Sequence, residues 1–327
     1  MYSKGATREL IEKIKKYQPD IIHLHNIHGY YLNIQLLFEF LREYNKPVVW
    51  TLHDCWSYTG HCSHYTCVEC NRWQKECYKC PLKKDYPGSI LLDHSTQNYR
   101  TKKQLFTSLV KLHLVTPSEW LKNEVEKSFF MDIPCTAIPN GIEIEKFVYR
   151  ENNLKNTLGI SNKKVILGVA NVWTEQKGIN DFIQLAELLD ETYQLVMIGV
   201  DEQRKKRLPA NIIALDRTKN IEELIDYYSM ADIYFNSSIE ETMGMTTGEA
   251  ICCGTPVVAY RSTAVPESVG DGCGVVLEPH DTEGVARAFA EIISRQEKYK
   301  NACLAYRQRF DKKISNEAYY KLYCSML

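Results

Sequence analysis

The sequence predicts an α/β protein built from two parallel-sheet domains. In both halves of the 327-residue chain, short apolar segments typical of strands alternate with longer segments of helical periodicity. Repeated strand–helix alternation favours parallel sheets with helices on both faces. The length is sufficient for two domains of ordinary size, each with its own core.

The first half, residues 1–155, is expected to begin with a helix and to contain four strands. Residues 1–16 are amphipathic and lack the apolar core of a signal peptide. The strands are predicted at residues 20–25, 47–53, 112–116 and 135–139, with helices over 30–44 and from about residue 118. A cysteine-rich insertion occupies residues 55–90.

The second half, residues 156–300, repeats this pattern. A strand over residues 165–170 is followed by a loop and a helix, and another strand is predicted at 211–215. The apolar face of the helix consists of Ile179, Phe182, Ile183, Ala186 and Leu189. Residues 301–327 are assigned to C-terminal helices, the last of them over 312–326.

Composition and charge exclude some classes of protein. The net charge of -1 at pH 7 gives no electrostatic argument for nucleic-acid binding. Hydrophobic residues make up 44% of the chain and charged residues 25%, which is ordinary for a globular protein. No apolar run reaches the roughly 18 residues needed to span a bilayer. We therefore expect a cytoplasmic protein without a transmembrane segment, with peripheral association at the inner face of the cytoplasmic membrane as a further expectation.

Two glutamates flank a glycine in residues 239–256, which read IEETMGMTTGEAICCGTP. Glu241 and Glu249 are eight positions apart, and Gly244 between them suits a tight turn. Helical periodicity begins at Met245 and ends before Gly254, which a proline follows shortly. Glu249 is therefore expected on a helix and Glu241 in the loop before it.

The start of this helix is predicted to bind phosphate. The backbone N–H groups of Met245, Thr246 and Thr247 are expected to be exposed there, where unpaired donors and the helix dipole favour an anion. One site would then hold a diphosphate on backbone amides and hydroxyl groups on the two carboxylates. The alternative is an acidic surface loop before a buried helix.

Lys177 precedes Gly178 at a loop-to-helix junction. In an α/β sheet this junction lies at the carboxyl end of a strand, where ligands bind. The lysine–glycine pair, the two glutamates, GEAICCGTPVVAY and the closing VLEPHD occur in this order. On these motifs, over about residues 20–300, the chain resembles glycosyltransferase family 4, the retaining enzymes of the two-domain GT-B fold.

The resemblance implies two Rossmann-like domains whose parallel sheets face one another across a cleft, with the helix over 312–326 crossing back to the first domain. It places Lys177 on the donor phosphates, Glu249 on the ribose hydroxyls and Glu241 beside the transferred sugar. The donor is expected to be a UDP- or GDP-sugar, and no cofactor is required for catalysis.

The resemblance also marks four further residues. His25, the second histidine of IIHLHN, matches the family residue beside the reacting sugar, although a merely hydrogen-bonded histidine is the alternative. Ser118 and Asn140 are placed near the donor or the domain interface. Many members carry an arginine shortly before the lysine, and here that stretch is 170–173, ANVW. Arg217 is the nearest substitute as a second phosphate ligand.

Six of the twelve cysteines lie between residues 55 and 80. Two CxxC pairs in this insertion have the spacing of tetrahedral zinc–thiolate sites, although the loop between them is short. A structural zinc would be held by four of Cys62, Cys67, Cys70, Cys77 and Cys80. Reduced cysteines and an iron–sulfur centre are the alternatives, because a cytosolic location disfavours disulfides.

The predicted function is transfer of a sugar, with retention, from a nucleotide-diphosphate donor to a glycan or lipid-linked acceptor. Bacterial capsule, exopolysaccharide or lipopolysaccharide synthesis is the expected setting. A sugar-nucleotide epimerase or phosphorylase of the same fold, or a non-catalytic zinc-bearing binding module, is the alternative. Family members usually open with a strand and a glycine-rich turn, which this chain lacks. The first domain is therefore expected to be truncated, with weak acceptor transfer.

Overall fold

The structure is a computed structural model that describes residues 3–85, 88 and 92–327. Met1 and Tyr2 of the predicted first helix, and residues 86, 87, 89 and 90 of the predicted insertion, lie outside the described residues. The chain forms two compact units, of which the first consists of Met1–Pro139 and Glu317–Leu327 and the second of Asn140–Asn316. The division into folding domains at residue 155 stays a prediction.

The first unit contains a four-stranded parallel sheet in the order β1-β2-β3-β4. The strands are β1 (Ile22–Leu24), β2 (Val48–Thr51), β3 (Leu112–Thr116) and β4 (Cys135–Ala137). Its helices are α1 (Lys4–Tyr17), α2 (Ile34–Tyr44), α3 (Ser95–Phe106) and α4 (Glu119–Glu126), with short 3-10 turns at Thr66–Val68 and Arg72–Gln74.

Helix α2 begins four residues later than its apolar pattern predicts, at Ile34 rather than at residue 30. The side chain of Asn33 accepts a hydrogen bond from the amide of Leu36 at 3.0 Å and so caps the helix. Residues 30–33 are therefore free to form a loop. Tyr30 and Leu32 of this loop line a cavity.

The second unit contains a six-stranded parallel sheet in the order β10-β9-β8-β5-β6-β7. The strands are β5 (Lys164–Val169), β6 (Tyr193–Ile198), β7 (Ile212–Leu215), β8 (Ile233–Asn236), β9 (Val257–Tyr260) and β10 (Gly274–Leu277). The helices are α5 (Leu154–Thr157), α6 (Ile179–Leu188), α7 (Glu202–Lys205), α8 (Ile221–Met230), α9 (Met245–Cys252), α10 (Val265–Ser268), α11 (Thr282–Ser294) and α12 (Gln296–Tyr306). Further 3-10 turns lie at Glu175–Lys177 and Arg307–Phe310.

The strand order of this sheet reverses between β5 and β8. From β5 the chain adds β6 and β7 on one side, and it then returns to add β8, β9 and β10 on the other. The two strands pair in parallel, with Ile166 opposite Ile233 and Leu167 opposite Tyr234. Loops that leave the carboxyl ends of such a pair diverge and leave a crevice between them, which is where ligands bind in open α/β sheets.

The cores follow from the alternation of side chains along the strands. In β5, Val165 and Leu167 contribute to the core on one face of the sheet, and Ile166 contributes to the core on the other. The core of the first unit contains an aromatic cluster in which Phe106 packs edge-on against Trp50, with ring centroids 4.9 Å apart. Both sheets are therefore covered on both faces, which holds the loops at their edges in place.

The last helix, α13 (Lys312–Met326), starts in the second unit and ends in the first. Its apolar residues, among them Leu322, pack on Val49 and Val115 of the first sheet. The hydroxyl of Tyr319 lies 2.9 Å from Oγ1 of Thr51. Within the described part of the chain, every helix is too short or too polar to cross a bilayer.

Candidate functional site

The loops after β5 and β8 bring Lys177 and Glu241 together. The ammonium of Lys177 lies 2.5 Å from Oε1 of Glu241, and the two side chains are 33% and 21% exposed. Both residues therefore face a half-open site at the strand-order reversal. A cation and a carboxylate here provide one contact for an anionic group and one for hydroxyl groups.

Backbone contacts hold Lys177 rigidly. The side chain of Thr174 caps the short 3-10 turn by accepting from the amide of Lys177 at 3.3 Å. Ser237, directly after β8, donates its hydroxyl to the carbonyl of Lys177 at 2.8 Å. The amide of Ile239 donates to Gln176 at 2.9 Å, so the two loops are tied to each other. A site on tied loops keeps its geometry when a ligand arrives.

Glu241 is fixed by the segment that follows β9. Its amide donates to Oγ1 of Thr263 at 2.9 Å, and its carbonyl accepts from the same hydroxyl at 2.8 Å. The amide of Ala264 donates to the same carbonyl at 3.2 Å. The carboxylate is thus presented by a backbone with both polar groups satisfied.

Helix α9 begins beside this pair without a capping side chain or an acidic residue in its first turn. Among the described residues, the amides of Thr246 and Thr247 have no acceptor, and their hydroxyls accept from Tyr234 and Asn236 at 2.7 and 2.9 Å. The amide of Met245, expected to be exposed, instead donates to Met243 at 2.9 Å. Two unpaired donors and the positive end of the helix dipole therefore face any anion bound here.

Gly244 precedes α9 for a reason that the sequence did not reveal. Its φ is -77°, so the turn does not need the left-handed conformation that a glycine allows. A Cβ at this position would lie 2.6 Å from Oγ of Ser268. Close packing against α10, rather than backbone freedom, favours glycine at the start of this helix.

Glu249 lies one turn further along α9. Burial raises the pKa of its carboxyl to about 7, and the hydrogen bond from Tyr228 partly opposes this rise. The Tyr228 hydroxyl donates to Oε2 at 2.9 Å. Near neutral pH this carboxyl is therefore balanced between its neutral and ionised forms, and ligand hydroxyls that donate to it favour the ionised form.

Two further predicted residues lie in the second unit. Arg217 donates from Nε and Nη2 to the carbonyl of Asn171, at 3.2 and 2.9 Å, so its guanidinium lies beside the 170–173 stretch. The amide of Asn140 lies 3.0 Å from Sδ of Met243, next to Gly244. Arg217 is thus near the stretch where many family members carry an arginine, and Asn140 is near the start of α9.

The first unit carries a histidine pair at the carboxyl ends of β1 and β2. Nδ1 of His25 lies 2.9 Å from Nε2 of His53. Burial lowers the pKa of both imidazoles, and for His53 the neighbouring His25 adds to this effect. Two neutral imidazoles can share such a hydrogen bond if one donates and the other accepts. His25 is exposed, so a ligand can reach this residue.

Ser118 has a structural contact. It is the N-cap of α4, where its hydroxyl accepts from the amide of Leu121 at 3.2 Å, and it is 3% exposed. Its carbonyl accepts from Thr116 at 3.0 Å. The side chain is therefore already used by the helix, and a ligand role for it stays a prediction.

The cysteine-rich segment does not support the predicted zinc site. Four of the five candidate cysteines line one small void: Cys62, Cys70, Cys77 and Cys80. Cys67 is exposed and lies in the short 3-10 turn at Thr66–Val68. Among the described residues, no group of three or more His, Cys, Asp or Glu side chains could hold a metal ion. The sulfurs contact protein groups instead: the thiols of Cys62 and Cys80 are hydrogen-bonded to each other, and Sγ of Cys77 accepts a hydrogen bond from the amide of Gly60 at 3.2 Å.

Two family profiles match the chain. The profile described as Glycosyltransferase Family 4 matches residues 2–146, and that described as Glycosyl transferases group 1 matches residues 150–309. Together they match most of both units. The chain belongs to glycosyltransferase family 4.

Curated relatives of this family 4 chain are of low identity. A colanic acid biosynthesis glycosyl transferase of Escherichia coli, WcaC, is 26% identical over 258 residues, which are 76% of this chain and 62% of that protein. D-inositol 3-phosphate glycosyltransferase of Corynebacterium jeikeium is 26% identical over 252 residues, 69% of this chain and 60% of that protein. The matched regions thus span about 60% of these two relatives.

Solved structures confirm the predicted GT-B fold. Anabaena HepE in complex with UDP superposes with a TM-score of 0.73 at 16% identity, and the match covers 98% of this chain and 82% of that chain. A glycosyltransferase from Rickettsia africae gives a TM-score of 0.70 at 18% identity, covering 98% and 80%. At this identity the likeness shows the fold alone.

A cavity of about 400 Å³ in the second unit lies away from Lys177 and Glu241. It is lined by residues 253–256 at the C-terminal end of α9 and by Lys155 and Asp232, whose side chains are 2.7 Å apart. Because an eight-residue helix is about 12 Å long, this cavity and the start of α9 are separate places. This cavity therefore does not coincide with the predicted site at the start of α9.

Sequence reasoning missed the residues that support the site. Thr263, Ser237, Tyr228 and His53 each bond to a predicted residue or to its backbone. Only His53 gave a signal, since it ends a predicted strand in VVWTLHD. The others act through contacts between segments that are distant in sequence.

Proposed function

We propose that this chain transfers a sugar from a nucleotide diphosphate to a hydroxyl group of a glycan or lipid-linked acceptor, with retention, in the synthesis of a bacterial surface polysaccharide. The contact between Lys177 and Glu241 at the strand-order reversal carries the proposal. The unpaired amides of Thr246 and Thr247 and the carboxyl of Glu249 lie on the helix that follows the same loop.

In this proposal the second unit binds the donor. Lys177 and the α9 amides contact the diphosphate, and Arg217 is the further phosphate ligand. Glu249 accepts from the ribose hydroxyls, and Glu241 accepts from hydroxyls of the sugar. When the glycosidic bond breaks, negative charge grows on the leaving diphosphate. Fixed N–H donors and an ammonium stabilise that charge without reorganisation.

Residues of the first unit contact the acceptor in this proposal. The neutral His25–His53 pair offers a hydrogen-bond acceptor for a sugar hydroxyl. The twelve cysteines are all thiols rather than disulfides, which suits a reaction in the reducing cytoplasm. The proposed role in polysaccharide synthesis is supported by the similarity to a relative whose name is that of a colanic acid biosynthesis glycosyl transferase.

A thermal-shift titration with UDP, GDP and their glucose and mannose conjugates tests the donor. A ligand that binds only the native state raises the unfolding temperature in proportion to the logarithm of its concentration above Kd. We expect one base to be clearly preferred. No response to any nucleotide at millimolar concentration would remove the proposed function. If a donor binds and is turned over, product analysis by NMR shows whether the new linkage retains the anomeric configuration of the donor sugar.

A further inference from the structure

A second cavity, of about 350 Å³, lies in the first unit. Three segments form its wall: the loop after β1, the segment after β2, and helix α3 with the residues before it. We call it the α3 cavity. Its volume falls within the range of small-molecule sites, about 300 to 1,000 Å³. None of the residues predicted as ligand contacts lines it.

The buried lysine of this wall is only partly compensated by anionic groups. Burial lowers the pKa of Lys102 to about 7, and the charge of the Asp54 carboxylate partly opposes this shift. Lys102 is 3% exposed, and its ammonium donates to the carbonyls of Trp56 and Thr59 at 2.6 and 3.0 Å. It also lies 3.5 Å from the centroid of the Trp56 ring. Within the described residues, no carboxylate comes within ion-pair distance of it. Carbonyl oxygens and a ring face compensate a buried charge only in part.

The other polar groups of the wall are also basic or neutral. His61 is 7% exposed, and its Nε2 has no hydrogen-bond partner within the described chain. It stands between the α3 cavity and the small cysteine-lined void, since it lines both. His94 and Asn98 are exposed at the cavity, and His28 is paired with Asp54 at 2.8 Å. Among the described residues, no Asp or Glu lines the cavity.

The α3 cavity lies beside the carboxyl edge of the first sheet. Its residues Ile27 and His28 follow β1, and Trp56 follows β2. The His25–His53 pair occupies the ends of the same two strands. Ligands of open α/β sheets bind at this edge. The exposed ring of Tyr30 adds an apolar surface with a polar tip, which suits a sugar ring.

We propose that the α3 cavity binds an anionic group of the acceptor, a sugar carboxylate or a phosphate. The inference rests on the proposed function, because it concerns the acceptor of that reaction. An anion in the cavity gives Lys102 the ion-pair partner that the described residues do not provide, and it gives the Nε2–H tautomer of His61 an acceptor. Aromatic and aliphatic groups, among them Trp56 and Ile27, contact the sugar ring.

Titration calorimetry with the full chain tests the charge preference. The probes are glucose, glucuronic acid and glucose 1-phosphate, each added to protein saturated with the nucleotide that it prefers. We expect at least one charged sugar to bind tenfold or more tightly than glucose. Preference for glucuronic acid indicates a uronic-acid acceptor, and preference for glucose 1-phosphate indicates a phosphate-linked one. Equal affinity for the three sugars, or no binding of the charged ones, overturns the proposal.

Variants locate the binding. Lys102→Met should abolish the preference for the charged sugar, whereas Lys103→Met, at an exposed neighbouring position of α3, should keep it. Asn98→Trp, an exposed substitution that narrows the cavity, gives a second test if Lys102→Met fails to fold. Asn98→Trp should lower the affinity for each of the three sugars at least fivefold. Unchanged sugar affinity in folded Asn98→Trp places the binding elsewhere and overturns the proposal.

Nucleotide binding separates this inference from the proposed function. If the wild type binds a nucleotide but no charged sugar, the inference fails and the proposed function stands. If the wild type binds no nucleotide, the proposed function fails.

Discussion

Lys177 and Glu241 are 64 positions apart in the sequence, yet their side chains meet at 2.5 Å. They meet because β5 and β8 are neighbours in the sheet and each residue follows one of these strands. The pairing satisfies both charges in the absence of a ligand. A donor that binds Lys177 through its phosphates must share the ammonium with Glu241 or displace it.

Lys177→Ala should weaken the binding of the nucleoside diphosphate by about 1.5 to 3 kcal/mol, the usual range for a hydrogen bond to a charged group. Glu241→Gln should leave nucleotide affinity intact, or raise it, because it releases the ammonium, and should lower sugar-dependent turnover. Titration calorimetry and a coupled turnover assay measure the two effects. Lys206→Ala, an exposed lysine in the same unit, is the control. Equal affinities of Lys177→Ala and Lys206→Ala would exclude Lys177 as a phosphate ligand.

Glu249 should make stability depend on pH. Burial raises its pKa from an ordinary value of 4.5 to about 7 in the folded protein, so the native state holds the extra proton between these two pH values. The stability that it contributes is full below pH 4.5 and is lost as the pH rises to about 7, a change of at most about 3 kcal/mol. Glu249→Gln should flatten this slope in urea unfolding measured from pH 5 to 8.

The same carboxyl should couple nucleotide binding to protons. Ribose hydroxyls donate best to an ionised carboxylate, so we expect nucleotide affinity to rise between pH 6 and pH 8 in the wild type and to stay flat in Glu249→Gln. Glu187→Gln, at an exposed position, should behave as the wild type. Calorimetry in buffers of different ionisation enthalpy detects the released proton. A pH-independent wild type would show that Glu249 does not contact the ribose in its ionised form.

Gly178→Ala should destabilise the second unit more than Gly159→Ala does. Both glycines have positive φ, 76° and 70°, so both substitutions strain the backbone by roughly 1 kcal/mol. A Cβ at Gly178 would also lie 2.3 Å from Cβ of Ser237, whereas nothing lies within 4 Å at Gly159. We expect an additional loss of about 1 kcal/mol or more for Gly178→Ala. Urea unfolding followed by tryptophan fluorescence measures both losses, and identical losses would show that the two loops are not in close contact.

Tyr323→Phe should loosen the C-terminal helix. The Tyr323 hydroxyl lies 2.7 Å from Nδ1 of His23, and a lost hydrogen bond of this kind costs about 1 kcal/mol. Tyr320→Phe, on the same helix at a position 67% exposed, should have no effect. Hydrogen exchange of the amides in residues 317–326 reports the docking. If the amides of the two variants exchange at the same rates, the hydrogen bond to His23 does not contribute to the docking of this helix.

The amino-acid sequence alone was enough to predict the bounds of those strands and helices whose sequence signals are local. The strand over residues 112–116 and the last helix over 312–326 have the predicted bounds. Helix α9 begins at Met245 as predicted. Apolar periodicity and helix stop signals act within a few residues, so they can be recognised without knowledge of the neighbours. The α/β class is confirmed, because alternating strands and helices leave few other ways to cover a parallel sheet. The GT-B fold, which the family resemblance implied, is confirmed by the solved structures.

Tertiary structure decided which predicted residues meet. No pattern in the sequence states that β5 pairs with β8, and the contact between Lys177 and Glu241 depends on that pairing. The spacing of the cysteines predicted zinc, but burial and thiol contacts depend on how the segment packs, and the described residues hold no metal cluster. The α3 cavity could not be predicted from the sequence for the same reason. Its wall joins segments that are distant in sequence, and a lysine buried without an ion pair exists only once the chain has folded around it.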